Sequence, residues 1–209
     1  MTSLHGTGWK ITSISVLLLR INALGTESPL ALIRSTVEQV IAVLQDPVYQ
    51  HPDRRQERFA RVRELILPRF DSQEIAKRAL GIHWRDRTEE ERKEFTRLFT
   101  DLVESSYRRT LDRYTREVQI FYDLERIEGP FAEVDTHLRS PTQSEPIPIT
   151  YRLHRVGAQW LIYDMVIANV SLVRNYRTQF DRILSTSSYA ELVRRIERKL
   201  RELNAPPAS

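Results

Sequence analysis

The sequence predicts an α+β protein in which helices come first, an antiparallel sheet follows, and helices close the chain. Three observations carry that prediction. Apolar residues recur at helical spacing through the first half. The period then drops to two between residues 117 and 168. Short turn signals, Gly129-Pro130 and Val156-Gly157-Ala158, separate the apolar runs as hairpin connections do. Helices, then a meander, then helices is a segregated pattern, unlike alternating βαβ units.

Each element has its own justification. Residues 28–45 place Leu30, Ile33, Val37, Val40, Ile41 and Leu44 on one stripe that stops before Asp46-Pro47. After Pro52 a second helix carries Phe59, Val62, Leu65 and Ile66 until Pro68 ends it. Asp71 with Glu74 reads as a capping box for a short helix running to Gly81, a natural C′ residue. Thr88 with Glu91 opens the longest helix, about 88–115, with Phe95, Leu98, Phe99, Leu102, Val103, Tyr107, Leu111 and Tyr114 on its buried stripe. Val118, Ile120, Tyr122 and Leu124 alternate with Gln119, Phe121 and Asp123 and predict a strand over 117–128. Phe131–Ser140 returns, Ile147–Leu153 makes a third strand and Trp160–Ala168 a fourth. Two helices follow, over 171–185 and from Ser188 (again with a Glu three residues on, Glu191) to Leu203.

Composition narrows the function. The chain has 209 residues, enough for one ordinary domain with its own core, or for one domain with an attached helical subdomain. Its 28 arginines and 4 lysines are interleaved with 28 acids, so no basic block stands alone and no nucleic-acid partner is expected. The absence of cysteine excludes disulfides and thiolate chemistry. At the N-terminus, Lys10, the apolar run 11–19 and the small residues Ala23 and Gly25 resemble a signal peptide over 1–25, with Arg20 as a blemish. Its removal would take the net charge from +4 to +2. Residues 26–205 then form a single α+β domain, and 206–209 a loose tail.

Candidate chemistry is sparse. Glu133, Asp135 and His137 share one strand face, but no spacing typical of a metal site supports them, and no metal or cofactor is expected. Asp164, sharing a face with Trp160, Ile162 and Val166, is the best candidate for a buried acid–base group. It would need Tyr122 or Tyr151 as a partner; an ion-paired anchor held by Arg152, Arg177 or a backbone N–H is the blander alternative. The six glycines form no phosphate loop, and no G-x-S-x-G occurs. What remains is abundant apolar surface, either a filled core or a lined cavity.

Three segments together resemble a known family: FDSQEIAKRALGIHWRDRTEEERKEFTRLFTDLVESSYRRTLDRY (70–114), ITYRLHRVGAQWLIYDMVI (149–167) and NVSLVRNYRTQFDRIL (169–184). The resemblance is to the MlaC, or toluene-tolerance, family of periplasmic phospholipid-binding proteins. It is carried by Phe70-Asp71, Ala79-Leu80-Gly81 with Trp84, the Phe95/Phe99 helix, Trp160-x-Ile162-x-Asp164 and Ser171-Leu172-x-x-Asn175-Tyr176-Arg177 with Phe180. The chain departs from the family at Ala168-Asn169 and at Ser187-Ser188, where glycine is usual.

The resemblance implies a four-stranded antiparallel NTF2-like sheet and a helical subdomain around a deep apolar pocket. It implies no enzyme, but a monomeric carrier in the periplasm of a Gram-negative bacterium. Such a carrier takes phospholipid, or in one branch a hopanoid. It works between an outer-membrane lipoprotein complex and an inner-membrane ABC transporter with its MCE-type subunit. On this reading the tail-binding residues from the helices are Phe70, Ile75, Leu80, Trp84, Phe99, Leu102, Tyr107 and Leu111. The sheet and the helix after it add Ile120, Tyr122, Val134, Tyr151, Leu153, Met165, Val166, Val170 and Tyr176. The rival reading is an NTF2-like enzyme using Asp164 on a hydrophobic substrate.

Overall fold

The computed structural model describes residues 27–113, 118–141 and 143–205; the leader expected over 1–25, the tail 206–209 and the side chains of 109–113 lie outside the described residues. Helix α1, Pro29–Gln45, starts where Ser28 accepts the Ala31 N–H at 3.1 Å and Pro29 presets the first turn. Short α2, Pro47–Gln50, is capped by Asp46. A 3₁₀ turn then leads into α3, Arg55–Ile66. Asp71 caps α4, Ser72–Leu80, by accepting the Glu74 N–H at 2.9 Å. The Glu74 carboxylate turns instead to Lys77 and Arg78, so only half of that capping box forms. At Thr88 and Glu91 the box is reciprocal and opens α5, Glu89–Arg113.

Gly81 ends α4 at φ +62°, the backbone conformation that favours glycine, and a Cβ there would also press within 3.0 Å of Arg177 Nε.

The sheet has five strands in sequential order: β1 Gln119–Glu128, β2 Phe131–Arg139, β3 Ile147–Val156, β4 Gln159–Ile167 and β5 Val170–Ser171. All its pairings are antiparallel. The fifth strand corrects the expected four. It exists because the chain reverses at Ala168-Asn169 tightly enough to pair Val170 with Ile167 before α6, Leu172–Leu184, begins. Helix α7, Tyr189–Asn204, completes the chain.

That reversal puts Ala168 at φ +48° and Asn169 at φ +66°. Asparagine tolerates the left-handed region, whereas alanine is strained there by about 1–2 kcal/mol. Ala168→Gly is therefore expected to stabilise the fold by about 0.5–1 kcal/mol, after allowance for glycine's freer unfolded chain. In thermal melts the midpoint should rise by about 2–4 °C; a fall would show that the turn is not strained.

Two cores form. Phe95, Phe99 and Phe180 interlock at centroid distances of 5.4–5.8 Å, inside a cluster that α4, α5, α6 and α7 enclose. The other core seats Leu32 and Ile33 of α1 on Val134, Leu153, Trp160 and Ile162 of the sheet. The start of α1 is tied to β1, where the Leu30 N–H donates to Glu125 Oε1 at 2.7 Å.

Two β-bulges set which side chains face inward. In β4 the partners run Arg152↔Asp164 and then Leu153↔Ile162, which leaves Tyr163 as the extra residue. In β1 they run Tyr122↔Thr136 and then Leu124↔Asp135, which leaves Asp123 over. Beyond each bulge the alternation changes phase. Leu124, expected on the apolar side, is accordingly exposed.

Candidate functional site

Between the two cores lies a cavity of about 750 Å³, within the range of roughly 300–1,000 Å³ usual for ligand sites. Helices α1, α3 and α5 form three of its walls through Val37, Val40 and Ile41, through Phe59, Val62 and Ile66, and through Phe99, Val103 and Tyr107. The sheet supplies Ile120, Leu138, Ile147, Ile149, Tyr151, Ile162, Met165 and Ile167 as the floor. Phe70, Ile75, Leu172 and Val173 close the end nearest α4 and α6. Many of these side chains keep accessible surface although they lie inside the fold. That is apolar area the chain does not cover with its own atoms.

The cavity collects Phe70, Ile75, Phe99, Tyr107, Ile120, Tyr151 and Met165 of the residues expected from sequence. The other expected residues sit elsewhere, each for a physical reason. Leu80, Trp84 and Leu102 are buried in the helical core, and Tyr176 packs against it, because α4 packs on α6 and α5 on α7. Val134 and Leu153 are fully buried beneath α1, and Tyr122 packs beside them. Val166 falls on the other side of the sheet, because the bulge at Tyr163 hands its inward place to Met165 and Ile167. Val170 is 56% exposed on the short fifth strand. The side chain of Leu111 lies outside the described residues. The cavity also takes Ile41 and Phe59, which the sequence places on the apolar stripes of α1 and α3. Their period gives a buried face but not whether another side chain meets it.

Reactive groups near the cavity are held. The Asp164 carboxylate, 5% exposed, accepts from Ser171 Oγ at 2.7 Å and Arg152 Nη1 at 3.3 Å through Oδ2, and from the Val173 N–H at 3.1 Å through Oδ1. Ser171 is the N-cap of α6, so Asp164 fixes the start of that helix to the sheet. None of these hydrogen bonds goes to Tyr122 or Tyr151. Burial, then the neighbouring Tyr122, pushes the Tyr151 phenol up, and its hydrogen bond with Thr136 only partly opposes this. Burial first, then Tyr176, likewise raises Tyr107. Both phenols stay neutral at physiological pH.

On the outer face of the sheet the acids are matched. Arg126 Nη2 contacts Asp135 at 2.7 Å and Glu133 at 3.1 Å, Arg152 Nε contacts Glu133 at 2.9 Å, and His137 Nδ1 contacts Asp123 at 2.8 Å. Among the described residues no group of three or more histidines and carboxylates is placed to hold a metal ion.

One edge of the cavity is polar and reaches the surface. There α3 and α5 face each other through exposed Gln56, Ala60, Arg63 and Arg108. Arg63 Nε crosses to Glu104 at 2.8 Å, which bridges the two helices by side chains, while α3 packs chiefly against α1. The hydrogen bond to Glu104, and after it the Glu104 charge, raise the Arg63 guanidinium's pKa.

Comparison with known proteins adds the family. The family model described as "MlaC protein" matches residues 34–198. A relative from Haemophilus influenzae, the intermembrane phospholipid transport system binding protein MlaC, is 21% identical over 189 residues, covering 88% of this chain and 87% of its own length. Among solved structures, the phospholipid-binding protein from Ralstonia solanacearum, determined in complex with a phospholipid, superposes with a TM-score of 0.74. It is 24% identical, and the match covers 84% of this chain and 98% of that one, a likeness of fold. With a family match spanning most of its length, the chain belongs to the MlaC family.

Proposed function

We propose that this protein is a periplasmic phospholipid carrier. It holds acyl tails in the cavity and moves lipid between an outer-membrane lipoprotein complex and an inner-membrane ABC transporter with an MCE-type subunit. The observation that carries this reading is the cavity of about 750 Å³ walled by apolar side chains from both cores. Membership of the MlaC family supports it, as do the relative named for intermembrane phospholipid transport and the phospholipid in the complex of similar fold. The engagement of Asp164 with Ser171, Arg152 and Val173 favours a scaffold role for that residue over catalysis. Among the described residues no helix is long and apolar enough to cross a membrane.

The energetics call for assisted release. At about 0.8 kcal/mol for each buried methylene, two tails of ~16 carbons represent on the order of 20 kcal/mol gross. Escape into water would be extremely slow, so the lipid leaves while the carrier is docked and the cavity is opened by a partner.

Native mass spectrometry of the purified protein tests the reading. One phospholipid per chain, lost on denaturation, is expected. A polycyclic lipid in its place would move the cargo to the hopanoid class. A protein that stays empty after incubation with phospholipid vesicles would overturn the carrier.

A further inference from the structure

Helix α6 carries Arg174, Arg177 and Arg182, all exposed, and none of the three makes a side-chain hydrogen bond or ion pair among the described residues. Elsewhere on the surface many arginines are matched, as Arg54 is with Glu57, Arg61 with Glu64, Arg97 with Asp101 and Arg194 with Glu191. The acids near α6 are engaged. Asp181 lies 3.1 Å from His83 Nε2, and Glu74 of neighbouring α4 accepts from Lys77 at 3.1 Å and Arg78 at 2.8 Å. Arg85 and Asp86, exposed one after the other beyond His83, cancel in charge. A surplus of cations is left on this side of the protein.

Beside these arginines stands the 3₁₀ turn Gly81–Trp84. Trp84 anchors it in the helical core. Arg177 lies over Gly81, and Asp181 holds His83. Ile82, between those two held residues, is 66% exposed, the most of any large apolar side chain described. One exposed isoleucine means little alone. Fixed in place beside guanidinium groups that no carboxylate answers, it has the make-up of a contact surface: an apolar centre with charged groups around it. A single isoleucine falls far short of the apolar helix face that holds a protein on a bilayer. Arginine forks mounted on a helix suit carboxylates at fixed positions instead.

Resting on the carrier reading above, we propose that the outer face of α6 and the Ile82 turn form a docking surface for an acidic protein partner. Arg174, Arg177 and Arg182 meet its carboxylates, and Ile82 enters an apolar socket among them. The same helix lines the cavity through Leu172 and Val173, so a partner that pulls on α6 acts on a cavity wall.

The test places the photo-crosslinker p-benzoylphenylalanine at exposed Thr178, between Arg174 and Arg182, in the full chain expressed in its native cells. Irradiation is expected to join the protein to one envelope protein, at a peptide rich in aspartate and glutamate. The triple variant Arg174→Gln/Arg177→Gln/Arg182→Gln should lower that adduct about tenfold, and Ile82→Ser about threefold. The double variant Arg174→Gln/Arg182→Gln, which spares the contact of Arg177 with Gly81, should lower it in the same direction. Arg194→Gln/Arg198→Gln/Arg201→Gln, an equal loss of charge from exposed positions of α7, should leave it within about twofold of the wild type. The partner so identified, once purified, should bind the wild type with an affinity that falls as salt is raised. No protein adduct, an adduct indifferent to the α6 variants, or a joined peptide without acids would overturn the docking surface. So would wild-type protein that co-sediments with phosphatidylglycerol vesicles through the same arginines, which would assign them to a membrane. Native mass spectrometry of the same preparations reads the carrier separately: an empty wild type removes that reading, while the adduct alone decides the docking surface.

Discussion

Ile41→Trp is expected to empty the protein of cargo without unfolding it. Ile41 lines the cavity from α1 and belongs to neither of the two packed cores, so an indole there grows into space that no side chain occupies. Lipid must then give up volume or strain the walls, at a cost of about 1–3 kcal/mol, and loading should fall about tenfold or more. Val166→Trp is the informative partner. Plain alternation along β4 would put Val166 inside, but the bulge at Tyr163 turns it away, and loading should stay within about twofold of the wild type. Lipid per chain counted by native mass spectrometry, with circular dichroism to confirm the fold, checks both. Retained cargo in Ile41→Trp, or lost cargo in Val166→Trp, would place the binding space elsewhere.

The second large effect concerns Asp164. Asp164→Ala removes the acceptor for Ser171 Oγ, the Val173 N–H and Arg152 at once, which unties α6 from β4 and leaves a cation short of its partner. Breaking a buried pair of this kind costs about 3–5 kcal/mol, and the partial exposure of Arg152 favours the lower end. The thermal midpoint should drop by about 10 °C. Asp164→Asn keeps acceptor capacity and loses charge, so its penalty should be nearer 1–3 kcal/mol. Below the midpoint the surviving folded molecules should still hold lipid. If Asp164→Ala melts with the wild type, the anchor role is refuted.

Much of the architecture could be read from local chemistry. Ser188, Thr88 and Asp71 start helices in the sequence and in the structure, because a cap is a contact between near neighbours. The strand runs and their antiparallel order follow from alternation and short turns. The two bulges could not be read this way, since counting by twos assumes that no residue is left unpaired; Leu124 and Val166 changed sides for that reason. The cavity had a different obstacle. Phe99 faces both a packed core and open space, whereas Leu102, one turn away, is wholly in the core. An apolar stripe announces burial, and only the distance to the opposing helix decides whether burial is against protein or cargo.

The unfilled space between the cores has a mechanical side. Hydrostatic pressure favours whichever state contains less void, and unfolding eliminates internal voids. On the carrier reading, the protein without lipid should therefore unfold at lower pressure than the protein with its cavity filled. On the same reading, lipid is a removable part of the interior, completing a packing that the chain alone leaves open.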